Sequence, residues 1–278
     1  MAVEELIRLE SVSFAYGGRS PLFREINMVV RAGDRLGLVG PNGSGKTSLM
    51  HLIVGLLAPA AGRVRALGLE LAGEVNLRKV RRRVGLLFQD ADDQLFNPTV
   101  GEDVAFGPLN LGLDHDAVGE AVDRALSAVG MAGFGERLSH DLSGGEKRLA
   151  ALATVLAMDP EVLLLDEPSA GLDPRARREL VALLGRIERT QVVSSHDMEF
   201  VRATCDRVVL LDGGSIIADG RTDEVLGDSE LMLEHGLEVP YSIDAGVHGP
   251  HDHHHGAGVG HGHGHRRGHD TGEHAAVK

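Results

Sequence analysis

Eight consecutive residues constrain this chain more than any other stretch. Gly40-Pro41-Asn42-Gly43-Ser44-Gly45-Lys46-Thr47 matches G-x-x-x-x-G-K-[ST], and it lies where an aliphatic run over residues 35–39 gives way to an amphipathic run over 45–57. A strand, a Gly-rich turn and a helix in that order make a phosphate-binding loop. The glycines let backbone N–H groups close around a β-phosphate at the positive end of the helix. Lys46 supplies point charge to the β- and γ-oxygens, the Thr47 hydroxyl is a ligand for Mg²⁺, and Ser48 completes the binding set.

Such a loop needs a sheet to carry it, and the flanking pattern supplies one. Short aliphatic runs at 84–88, 162–165 and 191–194 alternate with longer amphipathic stretches, including 174–187 and 198–204. The alternation predicts an α/β fold, with a P-loop core around a mostly parallel sheet buried on both faces. Runs at 7–14, 26–30 and 64–67 read instead as antiparallel strands of an N-terminal β subdomain, and 208–212 with 216–219 as a hairpin around Gly213-Gly214. Strand signals vanish between Asp90 and Met158. Helices over 114–129 and 144–158 are expected there, in a helical insertion spanning about residues 90–158. Arg78, Lys79, Arg81, Arg82 and Arg83 go around a helix rather than along one stripe and read as a solvated helix end.

Four of the expected parallel strands end in groups able to do chemistry: Gly40, Gln89, Asp166-Glu167 and His196. Ligands of open α/β sheets bind at the carboxyl ends of the strands, so the four sets converge on one crevice. The apolar run before Asp166 delivers two adjacent carboxylates, whose side chains point to opposite faces. Asp166 can then reach the metal, through water, while Glu167 faces an attacking water as general base. Leu142-Ser143-Gly144-Gly145-Glu146 is formally an S-x-x-E capping box. Two glycines in a first helical turn weaken the helix but let a phosphate approach it closely.

Composition removes other classes. Among 278 residues, 28 Lys plus Arg face 41 Asp plus Glu, a net charge of −13. No basic face for nucleic-acid phosphates is expected, and with no Trp, 7 Phe and 2 Tyr there are few stacking platforms for bases. The single Cys205 excludes an internal disulfide framework and fits a reducing compartment. The acidic start and the lack of a long apolar run predict neither a secretion signal nor a membrane span.

Together, the phosphate loop, the acidic strand end and LSGGE resemble the nucleotide-binding subunits of ATP-binding cassette transporters, over roughly residues 4–235. The resemblance implies two subunits sandwiching two ATP head to tail, with Ser143 and Gly145 contacting the nucleotide of the partner. It implies that Tyr16 stacks on adenine, that Gln89 senses Mg²⁺ and γ-phosphate, that Asp173 bridges the subunits, and that His196 holds the γ-phosphate and attacking water. Glu146 stands where many members carry Gln. A narrower resemblance covers Phe88-Gln89-Asp90-Ala91-Asp92-Asp93-Gln94-Leu95-Phe96 and the stretch from Thr99 to Pro108. These are similar to the cassettes of energy-coupling factor importers, in particular the cobalt/nickel branch. That implies a transmembrane energy-coupling subunit docking on this segment, a substrate-binding membrane subunit, and a place on the cytoplasmic face of the membrane.

Residues 241–278 are Gly- and His-rich, hold 10 of the 15 His and show no apolar period. A disordered tail following a folded domain of residues 1–240 is the expectation. Its imidazoles at His251, His253, His254, His255, His261, His263 and His265 suit nickel or cobalt, though copper and zinc bind the same group. Three readings of the tail stay open: metal handling, incidental binding by a solvated tail, or an affinity tag. With the first, the chain is the ATPase of a nickel or cobalt importer. With the second, it serves an importer of a vitamin or other small solute. A soluble cassette of DNA repair or translation needs a coiled coil, a second cassette or a basic surface, which this sequence lacks. A metal-storage protein with a nucleotide switch is the remaining rival.

Overall fold

The computed structural model describes residues 3–18 and 20–243. The chain opens with β1 (Glu5–Phe14) and β2 (Phe23–Arg31), then β3 (Arg35–Val39) and α1 (Lys46–Ile53). Next come β4 (Ala61–Ala66), β5 (Leu69–Glu70), α2 (Glu74–Arg81) and β6 (Val84–Leu87). Three helices follow, α3 (Val100–Leu111), α4 (His115–Ala128) and α5 (Gly144–Leu156). The chain then alternates through β7 (Val162–Asp166), α6 (Pro174–Arg186), β8 (Thr190–Ser194) and α7 (Met198–Thr204). It finishes with the hairpin β9 (Arg207–Asp212) and β10 (Ser215–Arg221), then α8 (Thr222–Gly227) and α9 (Ser229–Glu234).

Two sheets result. One is antiparallel in the order β2-β1-β4-β5, and the other runs β10-β9-β3-β8-β7-β6, parallel except for the β9–β10 hairpin. β7 explains why the parallel strands read as continuous apolar runs. All five of its residues are buried; Val162 and Leu164 join one core, shared with the antiparallel sheet and α1, while Leu163 and Leu165 join the other, under α3–α7. With side chains alternating between two cores, both faces favour apolar residues, since each buried Leu or Val contributes roughly 1.5–3 kcal/mol. Among the described residues no helix is long and apolar enough to cross a membrane.

Some local expectations shift. The helix after the phosphate loop stops at Ile53, because Val54 and the left-handed Gly55 unwind it into turns that continue to Leu57. The helix expected over 144–158 ends at Leu156. Of the basic cluster, Arg78, Lys79, Arg82 and Arg83 are exposed, Arg83 pairing with Glu161 at the surface, whereas the half-buried Arg81 donates from Nε to Val54 O (3.0 Å) and from Nη2 to Gly55 O (2.7 Å). α8 and α9 have no counterpart in the sequence reading, being six residues each and too short for a period to register. Beyond residue 240, Ser242 donates from its backbone N (2.9 Å) and its Oγ (2.6 Å) to the Glu199 carboxylate on α7.

Candidate active site

The phosphate loop begins where β3 stops. Gly40 has φ +150°, and a Cβ there would stand 2.0 Å from Leu211 O. Gly45 has φ +102°, and its Cβ would stand 2.5 Å from the Phe23 ring. Both positions demand glycine because of what packs against them. α1 starts directly after Gly45 with no side-chain cap, which leaves its first turn open to an anion. Pro41, Asn42 and Gly43 complete the turn, with Ser44 N donating to Pro41 O at 3.2 Å. Lys46 is buried; its Nζ donates to Gly40 O (2.8 Å) and Pro41 O (3.1 Å). Burial pulls its ammonium below the ordinary lysine range, with Glu167 and Asp166 opposing. The buried Ser44 Oγ has no hydrogen-bond partner among the described residues. A buried hydroxyl left unpaired costs about 1–3 kcal/mol, and a phosphate oxygen would pair it, so the loop fits a nucleotide.

At the end of β7 the two carboxylates separate. Asp166 stands in register with Ser194 of β8 and accepts from the Ser194 hydroxyl and from Thr47 Oγ1, the latter at 2.6 Å. Glu167 has φ +49°, a left-handed conformation that costs a non-glycine residue on the order of 1–2 kcal/mol. The kink aims its carboxylate elsewhere: Glu167 Oε2 lies 2.8 Å from His196 Nδ1 and accepts from Ser195 Oγ at 3.4 Å. The Glu167 side chain is 10% exposed and that of His196 68%. The result is a buried acid with a solvent-facing imidazole over it.

Thr47, His51, Gln89, Asp90, Gly144 and Arg148 line one crevice of about 610 Å³. Gln89 is exposed, and its backbone is gripped by α5: Arg148 donates from Nη1 to Phe88 O (3.0 Å) and from Nη2 to Gln89 O (2.6 Å). Lys147 pairs with Asp92 at 2.6 Å. The sequence reading omitted Arg148 and Ser194. The available signals were their positions, Arg148 one turn after Gly144-Gly145 and Ser194-Ser195 directly before His196.

Three of the expected residues lie apart. Ser143 is exposed and closes a capping box, accepting from Glu146 N at 3.3 Å and donating to Glu146 Oε2 from its Oγ at 2.7 Å and its backbone N at 2.8 Å; the two donated bonds hold the Glu146 carboxyl below its usual range. Gly145 has ordinary room, Leu172 Cδ2 being 3.6 Å from where a Cβ would sit. Asp173 is exposed at the N-terminus of α6, where the backbone N–H groups of Ala176 and Arg175 hold its carboxyl below the usual range. Tyr16 follows β1, 43% exposed, edge-on to Phe14 at 4.8 Å, with its hydroxyl 2.9 Å from Ser48 Oγ. The tail histidines, from His251 to His265, lie outside the described residues. Among the described residues no group of three or more His, Cys, Asp or Glu could hold a metal ion.

Known proteins resemble this chain in sequence and fold. The ABC transporter family matches residues 23–170. The energy-coupling factor transporter ATP-binding protein EcfA of Methanothermobacter thermautotrophicus is 44% identical over 243 residues, covering 86% of this chain and 78% of that protein. The structure of cbiO1 from Clostridium perfringens, part of the ABC transporter complex cbiONQ, matches with a TM-score of 0.74 at 32% identity, covering 88% of this chain and 99% of that one. A dimeric ATP-binding cassette in a post-hydrolysis state, bound to ADP and phosphate, matches in fold with a TM-score of 0.72 at 23% identity, covering 78% of this chain and 99% of that one. The P-loop α/β fold expected from the sequence is therefore the one observed, and the chain belongs to the ABC transporter family as an ATP-binding subunit, an ATPase.

Proposed function

We propose that this subunit energises an energy-coupling factor importer of nickel or cobalt ions, working as a dimer peripheral to the cytoplasmic face of the cell membrane. The observation that carries the reading is an apolar groove beside the nucleotide crevice, in the segment similar to energy-coupling cassettes. It holds about 280 Å³ and is lined by Leu56, Phe88, Phe96, Phe106, Val155 and Met158. Phe96 and Phe106 stand edge to face at 4.9 Å, yet are 61% and 49% exposed. A helix of a transmembrane energy-coupling subunit would cover them, with a substrate-binding membrane subunit as third component. EcfA and cbiO1 support this assignment by likeness.

In the hydrolytic step, the phosphate loop from Gly40 to Ser48 holds the ATP phosphates and Tyr16 stacks on adenine. Glu167 takes a proton from the attacking water as the new P–O bond forms and the bond to the ADP oxygen breaks. His196, on Glu167, holds the γ-phosphate. Thr47, Asp166 and Gln89 offer the hard oxygen donors that Mg²⁺ takes, and the ion would neutralise phosphate charge. Ser143 and Gly145 would complete the site of the partner subunit, and Asp173 would bridge the two. The exposure of Ser143 and Asp173 on helix N-termini supports an intersubunit role.

The tail beyond residue 243 would gather the metal at weak imidazole sites, losing it as pH falls through about 6.5. Co-purification from membranes, reconstitution in vesicles and elemental analysis of uptake test the proposal. ATP-dependent accumulation of Ni²⁺ or Co²⁺ is expected; accumulation of an organic solute without metal overturns it. A chain ending at Asp244 should keep its ATPase activity and lose most Ni²⁺ binding by calorimetry.

A further inference from the structure

Two buried hydroxyls flank Lys46, Ser44 in the phosphate loop and Ser48 in the first turn of α1. Ser44 Oγ is unpaired, as described above, whereas Ser48 Oγ is hydrogen-bonded to the phenol of Tyr16, 32 residues away, at 2.9 Å. Ser48 is 7% exposed and lies two residues past Lys46. Tyr16 reaches it from the loop after β1, its ring braced edge-on by Phe14. Phe14 in turn lies tilted beside Phe23, with ring centroids 6.3 Å apart, and Phe23 is the ring that presses against Gly45. An aromatic chain and one hydrogen bond thus tie a half-exposed ring to the helical end of the phosphate loop, at Gly45 and at Ser48.

A serine hydroxyl has one proton to donate and two lone pairs to accept. Beside an anion at a helix N-terminus its proton is best spent on the anion, and the lone pairs then need a donor. The phenol of Tyr16, 2.9 Å away, is placed to be that donor. We propose that Tyr16 is a positioning residue for the phosphates, acting through a relay in which Tyr16 Oη donates to Ser48 Oγ and Ser48 Oγ donates to a nucleotide phosphate oxygen. Donated bonds in series polarise one another, so the serine is a better donor with the tyrosine in place than without it. The ring and the hydroxyl of one side chain then serve opposite ends of the nucleotide. The proposal rests on the stacking assigned to Tyr16 only for where the base lies, since the relay needs the hydroxyl alone.

The test is equilibrium binding of ADP, ATP and their guanine counterparts, without Mg²⁺ and without turnover. Tyr16→Phe keeps the ring and should weaken all four nucleotides alike, roughly three- to tenfold, the range of one neutral hydrogen bond. Ser48→Ala should weaken binding by at least as much, and adding Tyr16→Phe to it should cause no further loss, because the relay is already broken. Ser48→Thr, which keeps a hydroxyl, should restore sensitivity to Tyr16→Phe. Tyr16→Ala removes ring and hydroxyl together, so its loss beyond that of Tyr16→Phe reports on stacking separately. Additive losses in the double variant, or parental affinity for Tyr16→Phe, overturn the relay whatever further loss Tyr16→Ala shows.

Discussion

At the carboxyl ends of β3, β7 and β8 the ionised side chains of Lys46, Asp166 and Glu167 are buried and hydrogen-bonded to neighbouring polar groups, whereas on and beside α3 the aromatic side chains are exposed and paired only with each other. Both arrangements depart from what stability alone favours. Burying Lys46, Asp166 and Glu167 costs several kcal/mol per charge before their partners offset it, the Gly40 and Pro41 carbonyls for Lys46, Thr47 and Ser194 for Asp166, and His196 for Glu167. Leaving Phe96 and Phe106 in water forgoes part of the roughly 1.5–3 kcal/mol that each buried aromatic contributes. The first region is satisfied within the chain and organised for a small anionic substrate. The second is held in shape from below by Asp103, whose buried carboxylate accepts from Phe96 N, Asn97 N and Ser139 Oγ, while its top stays uncovered. A rigid floor under an uncovered apolar top is what a macromolecular partner needs.

The contrast breaks first, and hardest, at Glu167. If its burial serves chemistry rather than folding, Glu167→Gln should lower ATP turnover by about 10²–10⁴, the usual worth of acid–base catalysis, with nucleotide affinity retained. Thermal unfolding of the same variant should show an equal or higher midpoint, because a buried charge has been removed. Normal turnover would place the base elsewhere.

Phe96→Ala is the complementary change on the other surface. Little apolar area is lost from the fold, so the melting point and basal ATPase rate should barely move. Association with the transmembrane partner should weaken by about tenfold or more if Phe96 anchors that interface. Co-sedimentation with membranes carrying the partner measures this, and unchanged association would exclude Phe96 from docking.

The smallest effect belongs to a pair outside both regions. Asp212 at the end of β9 lies 2.8 Å from His235 Nδ1 beyond α9, and that bond, more than the one from Gly213 N, holds its carboxyl below the ordinary range. A depressed carboxyl pKa gives stability that is present above the unfolded value near 3.9 and lost as pH falls through the lower folded value. Asp212 is a third exposed, so solvent screening limits the pair to about 0–1 kcal/mol. His235→Ala should lower the melting temperature by roughly 2–4 °C or less at pH 7, and the difference should close as the pH approaches 3. A gap that stays constant across that range would assign the loss to packing.

Legibility from the sequence followed the range of the interactions. The phosphate loop, the β7 carboxylates and the Ser143–Glu146 capping box are each made within a few residues of one chain segment, so a local pattern could report them. α8 and α9 left no periodic trace, and α2 was visible only as a cluster of positive charge. Glu167 was readable as a carboxylate at a strand end. Its left-handed backbone was not, because strain of that kind is imposed by neighbours such as Ser194, whose carbonyl accepts from Glu167 N at 3.1 Å.

By itself the sequence determined the chemistry the chain can offer: eight residues shaped to receive a phosphate, an acid pair after an apolar strand, and a Gly-Gly helix start. Backbone N–H groups and adjacent side chains recognise phosphate locally, and locality is what a sequence writes down. The tertiary structure alone decided which groups meet. Ser194 reaches Asp166 across 28 residues, Arg148 reaches the Gln89 carbonyl across 59, and Phe23 sets the need for glycine at Gly45. Those contacts depend on the β7–β8 register, on how α5 lies against β6, and on how β2 lies over α1. Sheet register and helix packing are chosen by two whole cores at once, and no window of neighbouring residues contains that choice.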